Sequence, residues 1–343
     1  MKDINVLITA AGNVFMPGTT DCLRKNRERK IRLVGADMSE DASILKMCDA
    51  AYQVPRGDSP EYVDTLLDIC VKERIDVLLP IMSVELNSLA DNRARFERVG
   101  TRVSVSESAA LNVANNKRKL LDFLRKQGLP CAEYRVVHNV EEVKEAVLDL
   151  GYPGKRVCVK AAEGSGSRGF RVLDASVSRF DIFLYEKPTS NIMRLDEFLS
   201  VLEEAPMFPE LIVMEYLEGA EYSVDLLADR GRSLVTCCRK SLRMENSIML
   251  EAVTVDNPMV SELCEATVNA LGLDGNIGFD LRERGDGTPL IMECNPRITA
   301  GVPYFAHAGV NLPYLCVKKL LGEELPKPQL EYGRMIKRRW LEM

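Results

Sequence analysis

Along the first hundred positions the apolar residues follow two alternating rhythms. Val-Leu-Ile-Thr at 6–9, Arg-Leu-Val-Gly-Ala-Asp at 32–37 and Asp-Val-Leu-Leu-Pro at 76–80 are short and nearly continuous, as buried strands are. Between them, residues 18–30 and 60–73 read as helices, the second with apolar residues at 63, 66, 67 and 70. This βαβαβ alternation predicts a parallel sheet with helices on both faces. Such sheets take ligands at the carboxyl ends of their strands, here residues 10–13, Asp37 and residues 80–83. The first turn, Ala-Ala-Gly-Asn, lacks Gly-x-Gly-x-x-Gly, so it carries no dinucleotide fingerprint.

The rhythm changes after residue 112. Asn115-Asn116 precedes a helical pattern to Gln127, and Gly128-Leu-Pro130 closes it. A second helix is expected over 140–150, a strand over 157–160, and partly helical polar chain over 176–206. From there the pattern is sheet-like, at 211–216, 221–228, 233–239 and 248–255, followed by helices at 258–271 and 311–321.

Two apolar runs, 276–279 and 290–292, flank Asp286-Gly287, the pair that favours a two-residue turn with both residues at positive φ. In that register Asp280 faces Glu293 and Gly278 faces Asn295, with the side chains on one side of the ribbon. Pro289 falls at a non-hydrogen-bonded pair, where its missing N–H costs nothing. Opposed carboxylates repel unless a cation lies between them, and Asp, Glu and Asn oxygens are ligands that Mg²⁺ accepts.

Composition narrows the classes. The 343 residues are 46% hydrophobic and 28% charged, which suits a globular chain of two or three domains. A formal charge of −6 argues against nucleic acid as a partner, and the basic cluster Arg334, Lys337, Arg338 and Arg339 reads as a solvated tail or helix end. No apolar run approaches the ~18 residues of a membrane span. The ten cysteines form no C-x-x-C pair, and several lie in apolar patterns, as reduced core thiols of a cytoplasmic protein would. With two histidines, a histidine-centred triad or zinc cage is not expected.

Two further segments fit around the carboxylate hairpin. Lys160 ends a strand that leads into Glu163-Gly164-Ser165-Gly166, a Gly/Ser loop able to wrap phosphates with its backbone N–H groups. Taken alone, such a loop is more often a plain turn. Glu215-Tyr216-Leu217 forms a polar hinge between strands that can offer backbone groups to an adenine edge, and Glu221 can offer a carboxylate to ribose hydroxyls.

Together these segments resemble the ATP-grasp superfamily, within it the single-module proteins like the carbamoyl-phosphate-synthase large chain, over nearly the whole length. The carrying motifs are Glu293-x-Asn295-Pro-Arg297 thirteen residues after Asp280, Lys117 before Gly128-Leu-Pro, Lys160 before the Gly-rich loop, and Glu215-Tyr-Leu-Glu-Gly-x-Glu221. The resemblance implies an α/β fold: an N-terminal pre-ATP-grasp parallel-sheet domain over 1–112, an ATP-grasp domain over 113–325 with an antiparallel core sheet and a small lid at about 130–212, and a tail over 326–343. It implies that Lys117, Lys160 and the loop Glu163, Gly164, Ser165 and Gly166 meet ATP phosphates. Glu215, Tyr216, Leu217 and Met292 would frame adenine and Glu221 the ribose. Asp280, Glu293 and Asn295 would bind two Mg²⁺ ions, with Mn²⁺ an acceptable substitute, while Arg297 and Lys160 act in catalysis. The implied function is an ATP-dependent carboxylate–amine ligase working through an acyl phosphate, with small-molecule acid and amine as partners and room for a homodimer. A small-molecule kinase and a nucleotide-binding regulator are the other readings. The chain has length for one module where carbamoyl-phosphate-synthase large chains have two, and Asp280 stands where that family often has Glu or Gln. Acid and amine pockets are expected from the N-terminal sheet edge, residues 299–304, and Arg239, Lys240 and Arg243, a cluster equally readable as a solvated basic strand.

Overall fold

Strand β1 (Ile4–Thr9) has five of its six residues buried and forms the middle of the first sheet. It pairs in parallel with β2 (Ile31–Asp37), which in turn carries β3 (Ala50–Gln53). On its other side lie β4 (Val77–Leu79) and β5 (Arg102–Val103), giving the order β3-β2-β1-β4-β5. The computed structural model describes residues 1–39, 43–163, 169–187, 190–205, 207–245 and 248–339.

The helix expected over 18–30 runs instead from Met16 to Arg24. Asn26 ends it: its side-chain amide donates to Leu23 O and Arg29 O, and its Oδ1 accepts from the Glu28 and Arg29 amides. A local side chain able to make four such bonds offers the backbone an alternative to the helix.

A second sheet has the order β6-β10-β7-β8-β9, from β6 (Tyr134–Val137), β7 (Val157–Ala161), β8 (Arg171–Leu173), β9 (Ile192–Met193) and β10 (Leu211–Glu215). Val157 and Val159 pack beneath the helices Val140–Asp149 and Leu195–Glu203. The strand period of two sends Cys158 and Lys160 to the opposite face, where Cys158 meets Leu290, Met292 and Tyr216.

The third sheet is antiparallel. It contains β11 (Glu221–Asp229), β12 (Arg232–Glu245), β13 (Ile248–Thr254), β14 (Gly275–Glu283), β15 (Pro289–Asn295) and β16 (Met335–Lys337), ordered β15-β14-β11-β12-β13-β16. Helix Pro258–Leu271 covers one face; Asn257 caps its start and Gly272, at φ 70°, ends it. The other face shares a core with the first sheet, since Leu227, Cys237 and Ile298 pack in one cluster with Val6, Ile8 and Leu79. That shared core brings the carboxyl ends of β1 and β4 against the third sheet. The segment expected to be a solvated tail or helix end instead supplies β16, which pairs with β13 from Met335 to Lys337. With one edge paired to β12, β13 offers on its other edge the backbone partners that a free tail lacks.

Candidate active site

At the tip of the β14–β15 hairpin, Gly287 N donates to Arg284 O at 2.9 Å and Arg284 N to Thr288 O at 2.9 Å. Of residues 284–288 only Gly287 takes a positive φ, 85°. This is a three-residue loop with glycine at the left-handed position, not the expected two-residue turn. Asp286 is held differently, its carboxylate accepting from Thr288 N at 2.9 Å. The longer loop shifts the pairing by one residue, so that Arg282 faces Leu290 and Leu281 faces Ile291. An extra residue at Met292 then reverses the shift, and Asp280 faces Glu293 and Gly278 faces Asn295 after all. This bulge also lets two consecutive residues, Met292 and Glu293, line the same cavity.

That cavity encloses about 760 Å³ between the third sheet, the second sheet and the carboxyl ends of β1 and β4. Lys117, Lys160, Glu221, Asp280, Met292, Glu293, Asn295 and Arg297 all line it. Each is positioned by an identifiable local cause. Asn116 caps the helix Lys117–Lys126 by accepting from Lys119 N at 2.9 Å, and Lys117 N donates to Ala162 O at 3.2 Å, tying the helix start to the base of the Gly-rich loop. Lys117 Nζ lies 3.4 Å from Glu293 Oε1. Lys160, buried at the end of β7, has its Nζ 3.4 Å from Met292 O, and burial lowers its pKa with Lys117 adding to the effect. Asp280 accepts from Ser223 Oγ at 2.9 Å, and Asn295 Nδ2 is 3.5 Å from Asp280 Oδ2. Burial, and secondarily the facing Glu293, raise the Asp280 pKa to about 6.

Arg297 is fixed by three donations: Nε to Ser83 Oγ at 3.1 Å, Nη1 to Ile298 O at 3.2 Å and Nη2 to Asn295 Oδ1 at 3.0 Å. Glu221 is pushed above the usual carboxylate range by burial, against the pull of Arg282. The donor set fits Mg²⁺ bound with phosphates. Among the described residues no group of three or more His, Cys, Asp or Glu gathers, and Mg²⁺ uses one or two carboxylates plus phosphate oxygens rather than an all-protein cage.

The remaining expected residues that the structure describes lie outside the cavity lining. Glu215 is engaged by Arg284 at 2.6 Å and accepts from Glu133 N at 2.9 Å, so its side chain is committed to tying the hinge to the hairpin loop. Tyr216 and Leu217 pack in the cluster that contains Met292, which joins the hinge to the cavity. Glu163 accepts from Asn116 Nδ2 at 2.9 Å. Gly164, Ser165 and Gly166 lie outside the described residues.

Of the basic cluster on β12, Arg239 turns inward and lines the cavity, whereas Arg243 is exposed and pairs with Glu245 and Glu251. Lys240 is not among the lining residues. Period two along a strand separates neighbours in this way. Thr299, Ala300, Gly301 and Tyr304 line the cavity as expected. Ser83 fell within the strand-end segment 80–83, but its bond to Arg297 has no sequence signal. Ser223, Phe15 and Arg338 were not anticipated; Ser223 could have been found by pairing β11 with β14, in which it faces Asp280.

The architecture matches known proteins. Residues 207–341 match the family described as ATP-grasp in the biosynthetic pathway with Ter operon, and residues 6–104 match the PylC-like N-terminal domain. The chain is 24% identical over 288 residues to the carbamoyl phosphate synthase large chain of Clostridium acetobutylicum, covering 81% of this chain and 25% of that one. It thus spans about a quarter of that relative's length. It is 23% identical over 305 residues to carbamoyl-phosphate synthase of Methanobrevibacter smithii, covering 84% and 74%. Among solved structures, the biotin carboxylase domain of Hydrogenobacter thermophilus 2-oxoglutarate carboxylase, in complex with MgADP, ADP and bicarbonate, superposes with a TM-score of 0.70 at 17% identity, covering 96% of this chain and 73% of that one. An L-amino acid ligase from Bacillus licheniformis gives 0.64 at 16%, covering 96% and 76%. These likenesses establish the fold: a parallel N-terminal sheet followed by an antiparallel core sheet.

Proposed function

On the premise that this chain joins a PylC-like N-terminal domain to an ATP-grasp domain, we propose that it is an ATP-dependent carboxylate–amine ligase. The observation that carries the reading is the facing pair Asp280 and Glu293 at a cavity on which Lys117, Lys160 and Arg297 converge. Two carboxylates beside three cationic side chains suit a bound metal–triphosphate, whose charges both sets complement.

Asp280, Glu293 and Asn295 would hold two Mg²⁺ ions, which supply charge neutralisation to the phosphates. Lys117 and Lys160 bind phosphate oxygens, Glu221 the ribose, and the backbone of residues 215–217 the adenine edge against Met292. Arg297, held in place by Ser83 and Asn295, presents its guanidinium to the transferred phosphoryl group. An oxygen of the substrate carboxylate forms a bond to the γ-phosphorus as the bond to the ADP oxygen breaks. The amine then attacks the acyl carbon, phosphate leaves, and the nitrogen gives up a proton. No protein nucleophile is required; catalysis rests on positioning and electrostatics.

The test is a panel of small carboxylates with Mg-ATP and hydroxylamine in place of the natural amine. Expected is stoichiometric ADP, phosphate and hydroxamate with the correct acid. ADP accompanied by a stable phosphorylated product, with no nitrogen incorporated, would replace the ligase by a kinase.

A further inference from the structure

Arg338 follows β16 and turns back over the cavity. Its Cζ lies 4.8 Å from the centroid of the Phe15 ring and 5.3 Å from that of Tyr304. Arg239, 5% exposed, stands 5.4 Å from the same Tyr304 ring and 5.0 Å from Phe305. Arg239 Nη1 donates to Asp225 Oδ2 at 2.6 Å, but its buried Nε has no partner. Arg338 Nη2 donates to Ala300 O at 2.6 Å, and among the described residues Arg338 is in no ion pair. Asp225 also accepts from the Thr299 hydroxyl at 2.7 Å.

Two guanidinium groups therefore share one wall of the cavity, and the carboxylate paired with them, Asp225, is bonded to Arg239 alone. Arg239 is buried and Arg338 half-buried, and such an excess of positive charge drawn from water is costly unless an anion completes it. Burial lowers the Arg338 pKa, and Arg239 adds to the lowering. Rings against the guanidinium planes leave the in-plane N–H groups as the donors available to a ligand. Met244 and Met249 add apolar surface to the same cavity.

We infer that Arg239 and Arg338 form a second anion site, and that the acid substrate carries a second anionic group, carboxylate or phosphate, a few carbons from the carboxylate that reacts. The spacing fits. Arg239 on β12 is two strands from Asp280 on β14, roughly 10 Å at about 4.8 Å per strand. That leaves room for a phosphoryl group, the reacting carboxylate and a short chain. The identity of the reacting carboxylate rests on the ligase reading; the second anion site does not.

The experiment compares straight-chain dicarboxylates of three to six carbons with their monoamides and with the corresponding phosphonocarboxylates. Two readouts are taken on the full chain: phosphate release with Mg-ATP and hydroxylamine, and thermal shift in Mg-ADP. Expected is one chain length whose dianionic form has a KM at least ~30-fold below its monoamide, the carboxylate and phosphonate arms identifying the second group. Arg338→Met should raise that KM about 100-fold, about 2.8 kcal/mol at 1.4 kcal/mol per tenfold, while the KM for ATP stays within about twofold. Arg338→Lys, which keeps charge but loses the fork, should fall between. Equal use of dianion and monoamide, equal loss of both in Arg338→Met, or no response to any member of the series would overturn the second anion site. Turnover with monoacids alone would sink it and leave the ligase standing. Dianion-specific thermal shifts that Arg338→Met abolishes, without any phosphate release, would uphold the site and sink the ligase.

Discussion

Arg297 Nε donates to Ser83 Oγ at 3.1 Å, joining two residues 214 positions apart, one past the carboxyl end of β4 and one past β15. The parallel-sheet domain thus orients a cation that the β14–β15 hairpin carries. Arg297 is half-buried, and burial depresses its pKa, so its few hydrogen bonds fix where its charge points. Ser83→Ala removes one bond to a charged group and should lower kcat about tenfold with little change in the KM for ATP. Arg297→Lys loses the whole fork and should cost more. Steady-state kinetics separates the two; a Ser83→Ala variant altered only in ATP affinity would mean that this bond does not position the cation.

Glu293→Gln keeps shape and removes charge. Mg²⁺-dependent ATP turnover should fall at least ~100-fold, on the scale of the several kcal/mol that metal-assisted stabilisation supplies. The fold should persist, because a repelling pair facing across β14 and β15 is relieved. Circular dichroism and phosphate release measured on the same preparation decide it.

Asp280 gives a pH signature. Its pKa in the fold is about 6 against an ordinary 3.8, raised by burial and by Glu293. Between these values the folded chain binds more protons than the unfolded one, so the stability of the metal-free protein declines as pH rises through this window and is greatest below it. Mg²⁺ must displace that proton, so its affinity should climb as pH rises through about 6. Denaturant titrations from pH 4 to 7 should show the decline in wild type and not in Asp280→Asn.

Gly301→Ala tests packing rather than backbone freedom, since Gly301 has an ordinary φ of −89°. A Cβ there would lie 1.9 Å from Arg239 Nη2 and 2.4 Å from its Cζ. Arg239 is pinned to Asp225 and must shift, at a cost of about 1–3 kcal/mol, as overpacking usually carries. A melting temperature unchanged from wild type would show that the guanidinium yields freely.

Much of this molecule is legible because local rules decide it. The parallel strands β1, β2 and β4 announce themselves as apolar runs, and helix Pro258–Leu271 is bracketed by Asn257 and Gly272 where its pattern begins and ends. Asp280 opposite Glu293 also follows from the sequence, although the tip was expected to be a different turn. What escapes is long-range. Ser83 finds Arg297, and Arg338 finds Phe15, only because a shared core seats the first sheet on the third. Arg334 and Lys337 are exposed as a basic tail should be, and nothing in their spacing distinguishes Arg338, which turns inward.

The bulge at Met292 means that the thirteen-residue interval from Asp280 to Glu293 is the sum of two independent local choices, a loop one residue longer and a strand one residue fuller. Either can be deleted without changing which carboxylates face each other. Removing Gly285 would shorten the tip to Asp286-Gly287, a pair suited to a two-residue turn, and the ladder below could stay as it is. Removing Met292 would take out the bulge alone, and Glu293, following Ile291 directly, would still face Asp280 across the ladder. Interval length is therefore a poor marker of this centre in distant chains, and the facing of the two carboxylates across the ladder is a better one.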